Sequence, residues 1–338
     1  MRSVKIVGTG AYLPGKPVSN DELEKHLGGI GKYYAELITI KQRHWVKSLQ
    51  TGELTEKNSD LAAKAAQRAI ADAGLAANTI DMIIMTTTTP DCLCPSTVTF
   101  VQEQLAIPEC FAIEVNTSCP GFVQGLSIAA QFIKNGELDT ALVIGSEVQS
   151  FFFQPDFAGN RREDIFNMFM FGDGAGSVVL KGVDEDQLGI GSYRVNSCGA
   201  GQEPGIILPG GTGLVGNDYL DPPRVYQDFA KVKQMGIVML ERLIEEIPRW
   251  TGLAFESFDK IVLPMELSIL LELMPKLNKL KDKTFSVVSR TGYLGSAFSF
   301  VALDELNRQG IIEKGQRLLV INLDASKWMY SYMVINWG

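Results

Sequence analysis

The stretch Val115-Asn-Thr-Ser-Cys-Pro-Gly-Phe-Val-Gln-Gly125 (VNTSCPGFVQG) joins an apolar strand pattern to a helical one. Residues 111–115 predict a strand, residues 121–135 place apolar side chains at helical spacing, and residues 141–145 predict a second strand. Pro120 suits the first turn of a helix, where its missing N–H would have had no partner. Gly121 and Gly125 let another backbone or a substrate come close. Working outward, Leu61, Ala65 and Ala69 predict a helix over 58–74, which leads into a buried strand over 80–88 closed by Pro90 and a helix over 96–105. Alternating strands and helices of this kind build an α/β fold with a mainly parallel sheet.

The second half repeats this order. Helices predicted over 232–247, near 267–277 and over 296–309 precede strands at 260–263, 285–288 and 317–322. Asp81 and Asp259, Cys119 and the Gly295 region, and ALVIG at 141 and LLVIN at 318 are each about 177 residues apart. A constant offset of this kind predicts an internal duplication. A site would then lie where strand ends and helix starts of the two halves face each other.

The chain has 338 residues, 46% hydrophobic and 21% charged, enough for one large core or two smaller ones. A net charge of −8 with scattered Lys and Arg gives no footprint for nucleic acid. The apolar run 261–274 is cut by Pro264, Glu266 and Glu272, too short for a membrane span. The amino terminus carries no signal-peptide pattern, so a cytoplasmic chain is expected. Five cysteines without a CxxC pair and two histidines, His26 and His44, argue against structural zinc; no metal is expected.

Cys119 thus sits at a strand end and a helix start. Free amides and the helix dipole there favour a thiolate over a thiol whose ordinary pKa is about 8.5. A lone cysteine also fits a small, inert core position, and the spacing alone leaves both readings open. FGDGAG at 171–176 lacks the GxGxxG spacing of a nucleotide loop and is expected to pack beneath Cys119.

TSCPGFVQGLSIAAQFIKNGELDTALVIGSE, followed by FMFGDGAGSVVL at 169–180, resembles the active-site region of the 3-oxoacyl-acyl-carrier-protein synthase III (ketosynthase III) family of thiolase-fold condensing enzymes. The likeness runs from VKIVGTGAYLPGKPVSNDEL to ALDEL and KGQRLLVI near the end, essentially the whole chain. It implies a thiolase-like, duplicated five-layer α-β-α-β-α fold, with halves at 1–180 and 181–338, in a cytoplasmic homodimer or a heterodimer with a paralogue. Acyl-coenzyme A or a phosphopantetheinyl acyl-carrier protein enters as substrate, without a bound cofactor, and Cys119 accepts the acyl group.

The family's second half-reaction uses a histidine and an asparagine to hold a malonyl extender and its enolate. In IVLPMELSIL, Met265 stands where the resemblance places the histidine; in SRTGYLGSAF, Tyr293 stands where it places the asparagine. Met265 has no proton to give, and Tyr293 offers one phenol. Glu266 is expected to be a solvated or capping residue, and His44 a surface or interface residue. In Asp324-Ala-Ser-Lys-Trp328, which replaces a glycine-rich turn, the Ser326 N–H is the candidate second oxyanion donor. At the ligand entrance the resemblance places Tyr33 on the adenine, with Leu37 and Leu270 replacing arginines and Arg161 and Arg162 as substitute charges. The resemblance places at Cys94 a bulky residue that reaches the partner's acyl pocket, and the smaller side chain here predicts a roomier one. The long loop 201–223 is expected to shape the substrate site.

Three functions follow. The first is acyl transfer from Cys119 to an amine, hydroxyl or pre-activated carbon. The second is carbon-carbon bond formation with a non-standard site, and the third a half-catalytic partner subunit of a heteromeric condensing enzyme.

Overall fold

Alternation of buried strands with amphipathic helices produces two five-stranded sheets in a computed structural model, which describes residues 2–29, 31–153, 162–184, 188–212, 224–265 and 275–338. The first sheet contains β1 (Ser3–Tyr12), β2 (Met82–Thr87), β3 (Phe111–Asn116), β4 (Thr140–Glu147) and β5 (Gly174–Val183). The second contains β6 (Gly189–Ser197), β7 (Lys260–Val262), β8 (Thr284–Phe285), β9 (Arg317–Asp324) and β10 (Met329–Asn336). Their spatial orders, β1-β5-β4-β2-β3 and β6-β10-β9-β7-β8, match strand for strand. Directions match too: the three strands at one side of each sheet run parallel, and the remaining two pair antiparallel.

The principal helices are α1 (Asn58–Asp72), α2 (Thr97–Gln104), α3 (Gly121–Lys134), α4 (Arg162–Met170), α5 (Phe229–Thr251) and α6 (Phe298–Arg308). α3 and α6 lie between the sheets, where their apolar residues join one core with residues of both, from Val143 and Val178 to Val262 and Val320. The aromatic rings of Phe122 and Phe300 meet edge to face with centroids 4.8 Å apart. α1 and α2 cover the outer face of the first sheet and α5 that of the second. This is the thiolase-like five-layer arrangement. Phe122, Leu126 and Ile133 of α3 are fully buried, each stabilising the fold by about 1.5–3 kcal/mol relative to exposure.

One sequence expectation needs revision, and another lies mostly outside the described residues. Of the segment 285–288 only Phe285 is strand, as the end of β8; Val288 begins a short helix, Val288–Thr291. That helix ends at Gly292, at φ 73°, and the next residue, Tyr293, lines the cavity. Of the helix expected near 267–277, residues 266–274 lie outside the described residues, and Pro275–Lys283 forms a 3-10 helix. No described helix is long and apolar enough to cross a membrane.

Candidate active site

β3 makes its last ladder contact where the Thr117 N–H donates to the Thr87 carbonyl at 3.2 Å. The next three residues turn into α3, with the Gly121 N–H donating to the Ser118 carbonyl at 2.9 Å. A side chain at Gly121 would lie 2.8 Å from Thr86 Oγ1 and 3.0 Å from Ser296 Cβ. Glycine therefore lets the start of α3 sit against the second half. Cys119 is 7% exposed, on the wall of a cavity of about 1780 Å³ that also takes in Met265, Tyr293, Asp324 and Ser326.

The thiolate expected from the helix start is not the resting state. Burial, then the Asp324 carboxylate, push the Cys119 thiol up to about 12. Hydrogen bonds from Ser118, Tyr293 and the residue's own N–H pull the other way and do not compensate. Helix-end effects amount to about 0.3–1 kcal/mol at exposed sites, whereas complete burial of a charge moves pKa values by several units.

Tyr293 reaches the sulfur because Gly292 allows a turn that no other residue fits: its Cβ would come within 2.8 Å of both Arg43 Cβ and the Gly172 N–H nitrogen. The Tyr293 N–H donates to Met170 O at 2.8 Å, its ring stacks on Phe298 at 6.2 Å, and its hydroxyl is within hydrogen-bonding reach of Cys119. Burial and the neighbouring Cys119, Asp324 and Glu147 hold this phenol well above the ordinary tyrosine range, so it stays protonated. Met265 packs at the margin of the second-half core and presents only a thioether to the cavity.

Ser326 lies in the turn after β9. Its hydroxyl donates to Asp324 Oδ2 at 2.5 Å, and its carbonyl accepts from the Gly205 N–H at 3.2 Å. The backbone strain that a non-glycine turn demands falls on Trp328, at φ 63°. That indole is fully buried and donates to Glu203 O at 2.8 Å. The loop from Cys198 to Gly205 clamps the turn: Gly199 leaves no room for a side chain beside Lys327 O, and Gly205 none beside the Trp328 ring.

Glu147, at the end of β4, is completely buried. It accepts from the Thr88 N–H and hydroxyl, from the Thr89 hydroxyl at 2.8 Å, and from the Ser296 N–H and hydroxyl, the last at 2.9 Å. Burial outweighs these bonds and pushes its carboxyl up to about 7. Asp324 differs: it is 1% exposed, and its Oδ1 has no hydrogen-bond partner among the described residues. Thr117 Oγ1 and Gln227 Oε1, of two residues that line the same cavity, also lack one among the described residues. Sequence reasoning singled out none of these four side chains. For Glu147 and Asp324 a signal existed, since both end equivalent strands at the 177-residue offset.

Other expected residues lie farther out. Tyr33, on the short helix Lys32–Leu37, is 64% exposed and does not line the cavity. Cys94 is exposed and off the cavity wall, which at this corner is made by Cys92 and Leu93. An exposed place off its own cavity leaves Cys94 free for the partner's pocket, where the resemblance puts it. Arg162 is exposed at the start of α4, whereas Arg161, Glu266 and Leu270 lie outside the described residues, as does the side chain of Leu37. Of the long loop, residues 213–223 lie outside the described residues, and Pro204, Leu208 and Gly210 line the cavity. His44 is half-buried and bonded through Nδ1 to Pro14 O at 2.9 Å, a fold contact rather than a surface residue. In FGDGAG, Gly172, Gly174 and Gly176 pack against Thr291, Leu13 and Phe300, while Asp173 is completely buried and accepts from the Val46 and Ser150 N–H groups. No group of three or more His, Cys, Asp or Glu suited to a metal occurs among the described residues.

Residues 113–199 match the family model for 3-oxoacyl-[acyl-carrier-protein (ACP)] synthase III, and residues 38–152 that for the thiolase N-terminal domain. The chain is 31% identical to a β-ketoacyl-[acyl-carrier-protein] synthase III of Clostridium acetobutylicum, over 100% of this chain and 99% of that protein. The solved AbyA1, a tetronic acid condensing enzyme, superposes with a TM-score of 0.86 at 27% identity, covering 99% of this chain and 100% of that one. The 3-oxoacyl-[acyl-carrier-protein] synthase III of Aquifex aeolicus superposes at 0.83, also at 27% identity, with 99% and 100% covered. A cysteine at the inter-half helix start, a duplicated five-layer fold and full-length likeness together make this chain a member of the 3-oxoacyl-acyl-carrier-protein synthase III family of condensing enzymes.

Proposed function

We propose that Cys119 takes an acyl group from an acyl-coenzyme A or acyl-carrier-protein thioester and hands it to an acceptor, an amine, hydroxyl or pre-activated carbon, in fatty-acid-like, polyketide-like or other specialised biosynthesis. One observation carries this reading. Cys119 borders a large cavity walled by apolar side chains such as Phe152, Phe229 and Leu240, and Met265 and Tyr293, which the resemblance sets in place of the extender-gripping histidine and asparagine, line the same cavity. Loading forms the bond from Cys119 Sγ to the acyl carbon and releases the donor thiol. The Cys119 N–H and Ser326 N–H are the oxyanion donors of this scheme. No cofactor takes part in it. The acyl donor is carried over from the relatives, which are named as acyl-carrier-protein synthases. Arg162, and Arg161 beside it, serve in this scheme as charge at the donor entrance, and Tyr33 as its aromatic face. The half-exposed edge strand β3 favours a dimer with a second copy, since every other strand of the first sheet but β1 has neighbours on both sides.

Intact-mass measurement after incubation with a panel of acyl-coenzyme A thioesters tests loading. One acyl mass on the protein, absent from Cys119→Ala, is expected. A panel that leaves both proteins unmodified sinks the reading.

A second reading, carbon-carbon bond formation with decarboxylation, is favoured by the Tyr293 hydroxyl beside the sulfur. It requires carbon dioxide release when the acylated enzyme meets malonyl-coenzyme A, and loss of that release in Tyr293→Phe.

A further inference from the structure

Among the described residues, two that are not glycine hold a positive φ, Ala106 at 52° and Trp328 at 63°. Ala106 is exposed just past the end of α2, a place where helices commonly take this conformation. Trp328 is fully buried and ends no helix; it closes the turn that joins β9 to β10. Glycine would hold that φ without strain. The shape of the turn therefore does not require an indole, and a strained residue beside a site calls for a functional reason.

What the indole adds is anchorage. Its Nε1–H donates to Glu203 O at 2.8 Å. The Trp328 carbonyl accepts from the Cys198 N–H at 2.8 Å and from the Cys198 thiol at 3.2 Å. The Gly205 N–H donates to Ser326 O at 3.2 Å, and the Lys327 ammonium to Gln202 O. Within the turn, Asp324 Oδ2 accepts from the Ser326 hydroxyl at 2.5 Å and from the Lys327 N–H at 3.4 Å. The fit is close, since a side-chain carbon on Gly205 would lie 2.4 Å from the indole and 2.7 Å from Ala325 O. The Ser326 N–H takes part in none of these bonds. Ser326 lines the same cavity as Cys119, and Asp324, two residues before it, is near enough to act on the thiol. Glu203 directly precedes Pro204, which lines that cavity too, so the indole ties the turn to the cavity wall.

Resting on the acyl-Cys119 reading above, we infer that Trp328 is a positioning residue for loading: its indole, held by Glu203 O, fixes the turn so that the Ser326 N–H meets the oxyanion of the tetrahedral intermediate. In that step Cys119 Sγ bonds to the acyl carbon and the carbonyl π pair moves onto oxygen. The pair returns as the bond to the donor sulfur breaks, and the Cys119 proton leaves with the donor thiol. A backbone donor helps only if its place is fixed before the charge appears. A turn anchored at its strand ends alone would let that amide swing; the indole removes this freedom.

The experiment compares loading with alkylation in wild type, Trp328→Gly and Trp328→Phe. Loading is followed by intact mass over a concentration series of hexanoyl-coenzyme A. Alkylation of Cys119 by iodoacetamide displaces iodide from a saturated carbon and develops no oxyanion. Trp328→Gly keeps the φ without strain and loses the anchor, and its limiting loading rate is expected to fall about 100-fold. Trp328→Phe keeps a ring and loses only the donated bond, for which a fall of about tenfold is expected. Asp324 keeps its ladder pairing with Met329 in both variants. Alkylation at one pH, and the hexanoyl-coenzyme A concentration that gives half the limiting rate, are therefore expected to stay within about threefold of wild type. A merely structural role would slow alkylation and loading together. Loading of Trp328→Gly at the wild-type limiting rate, or a loss of loading matched by an equal loss of alkylation, overturns the assignment. Should Trp328→Gly fail to fold, Trp328→Phe decides by the same two rates. Failure of wild type to load refutes instead the acyl-Cys119 reading beneath it.

Discussion

Glu147 and Asp324 end equivalent strands 177 positions apart, yet one is sealed and the other open. Glu147 receives donors from the neighbouring strand end, Thr88 and Thr89, and from the facing helix start, Ser296. At the corresponding places around Asp324 stand Met265, after β7, and Cys119, before α3. A thioether donates nothing, and a thiol is a weak donor. Duplication thus supplies the same carboxylate twice, and the neighbours decide its work. In one half it ties the two layers together; in the other it leaves a buried carboxylate oxygen unpartnered among the described residues and a thiol on the cavity wall.

The largest effect should come from breaking the sealed member. Glu147→Ala strands the Thr88 and Ser296 amides and three hydroxyls in the core. A loss of about 3–5 kcal/mol in unfolding free energy is expected from a urea titration, the range for a disrupted buried network. A change under about 1 kcal/mol would show that these donors find other partners.

A subtler break uses pH. Glu147 is pushed up to about 7 and Asp173 to about 6, both mainly by burial, from ordinary carboxylate values of 4.5 and 3.8. Because the folded state binds protons more tightly than the unfolded one, their contribution is greatest below about pH 4. It is lost as pH rises through 6 to 7. For Glu147 the loss between pH 5 and pH 8 amounts to about 3 kcal/mol. Glu147→Gln, which does not titrate, should therefore lose less stability than wild type over that interval in paired urea titrations. Parallel losses in the two proteins would place the titration elsewhere.

How much of this could be read in the sequence follows from range. The two-half fold was legible because periodicity is local and the 177-residue offset repeats. Cys119 at a helix start was legible because Pro120 and Gly121 mark the turn. Its acidity was not: helix-start chemistry is local, but burial and Asp324, 205 positions away, decide the outcome. Cys94 could not be placed by its own loop, because the expected contact is with the pocket of a second copy; within one chain Cys92 and Leu93 take the cavity wall. The strain of the turn that replaces the glycine-rich one falls on Trp328, where the Cys198–Gly205 loop holds the indole, a contact between residues too far apart in sequence to be read from the turn alone.

The smallest effect tests the open member. With its thiol at about 12, Cys119 should react with iodoacetamide about tenfold faster per pH unit from pH 7 to 10, without a plateau. An alkylation curve that levels off below pH 9 would mean that the helix start outweighs burial and Asp324 after all. Tyr293→Phe keeps the ring stacked on Phe298 and removes only the hydroxyl that reaches the sulfur. One charge-assisted hydrogen bond to the thiolate is worth about 1.5 kcal/mol or somewhat more, so alkylation at a given pH should slow about tenfold while stability changes little. Ser118, 3.4 Å from the sulfur, would then be the remaining side-chain donor. An unchanged rate in Tyr293→Phe would assign the sulfur to Ser118 and its own N–H, and would leave Tyr293 free to act on the acyl group instead.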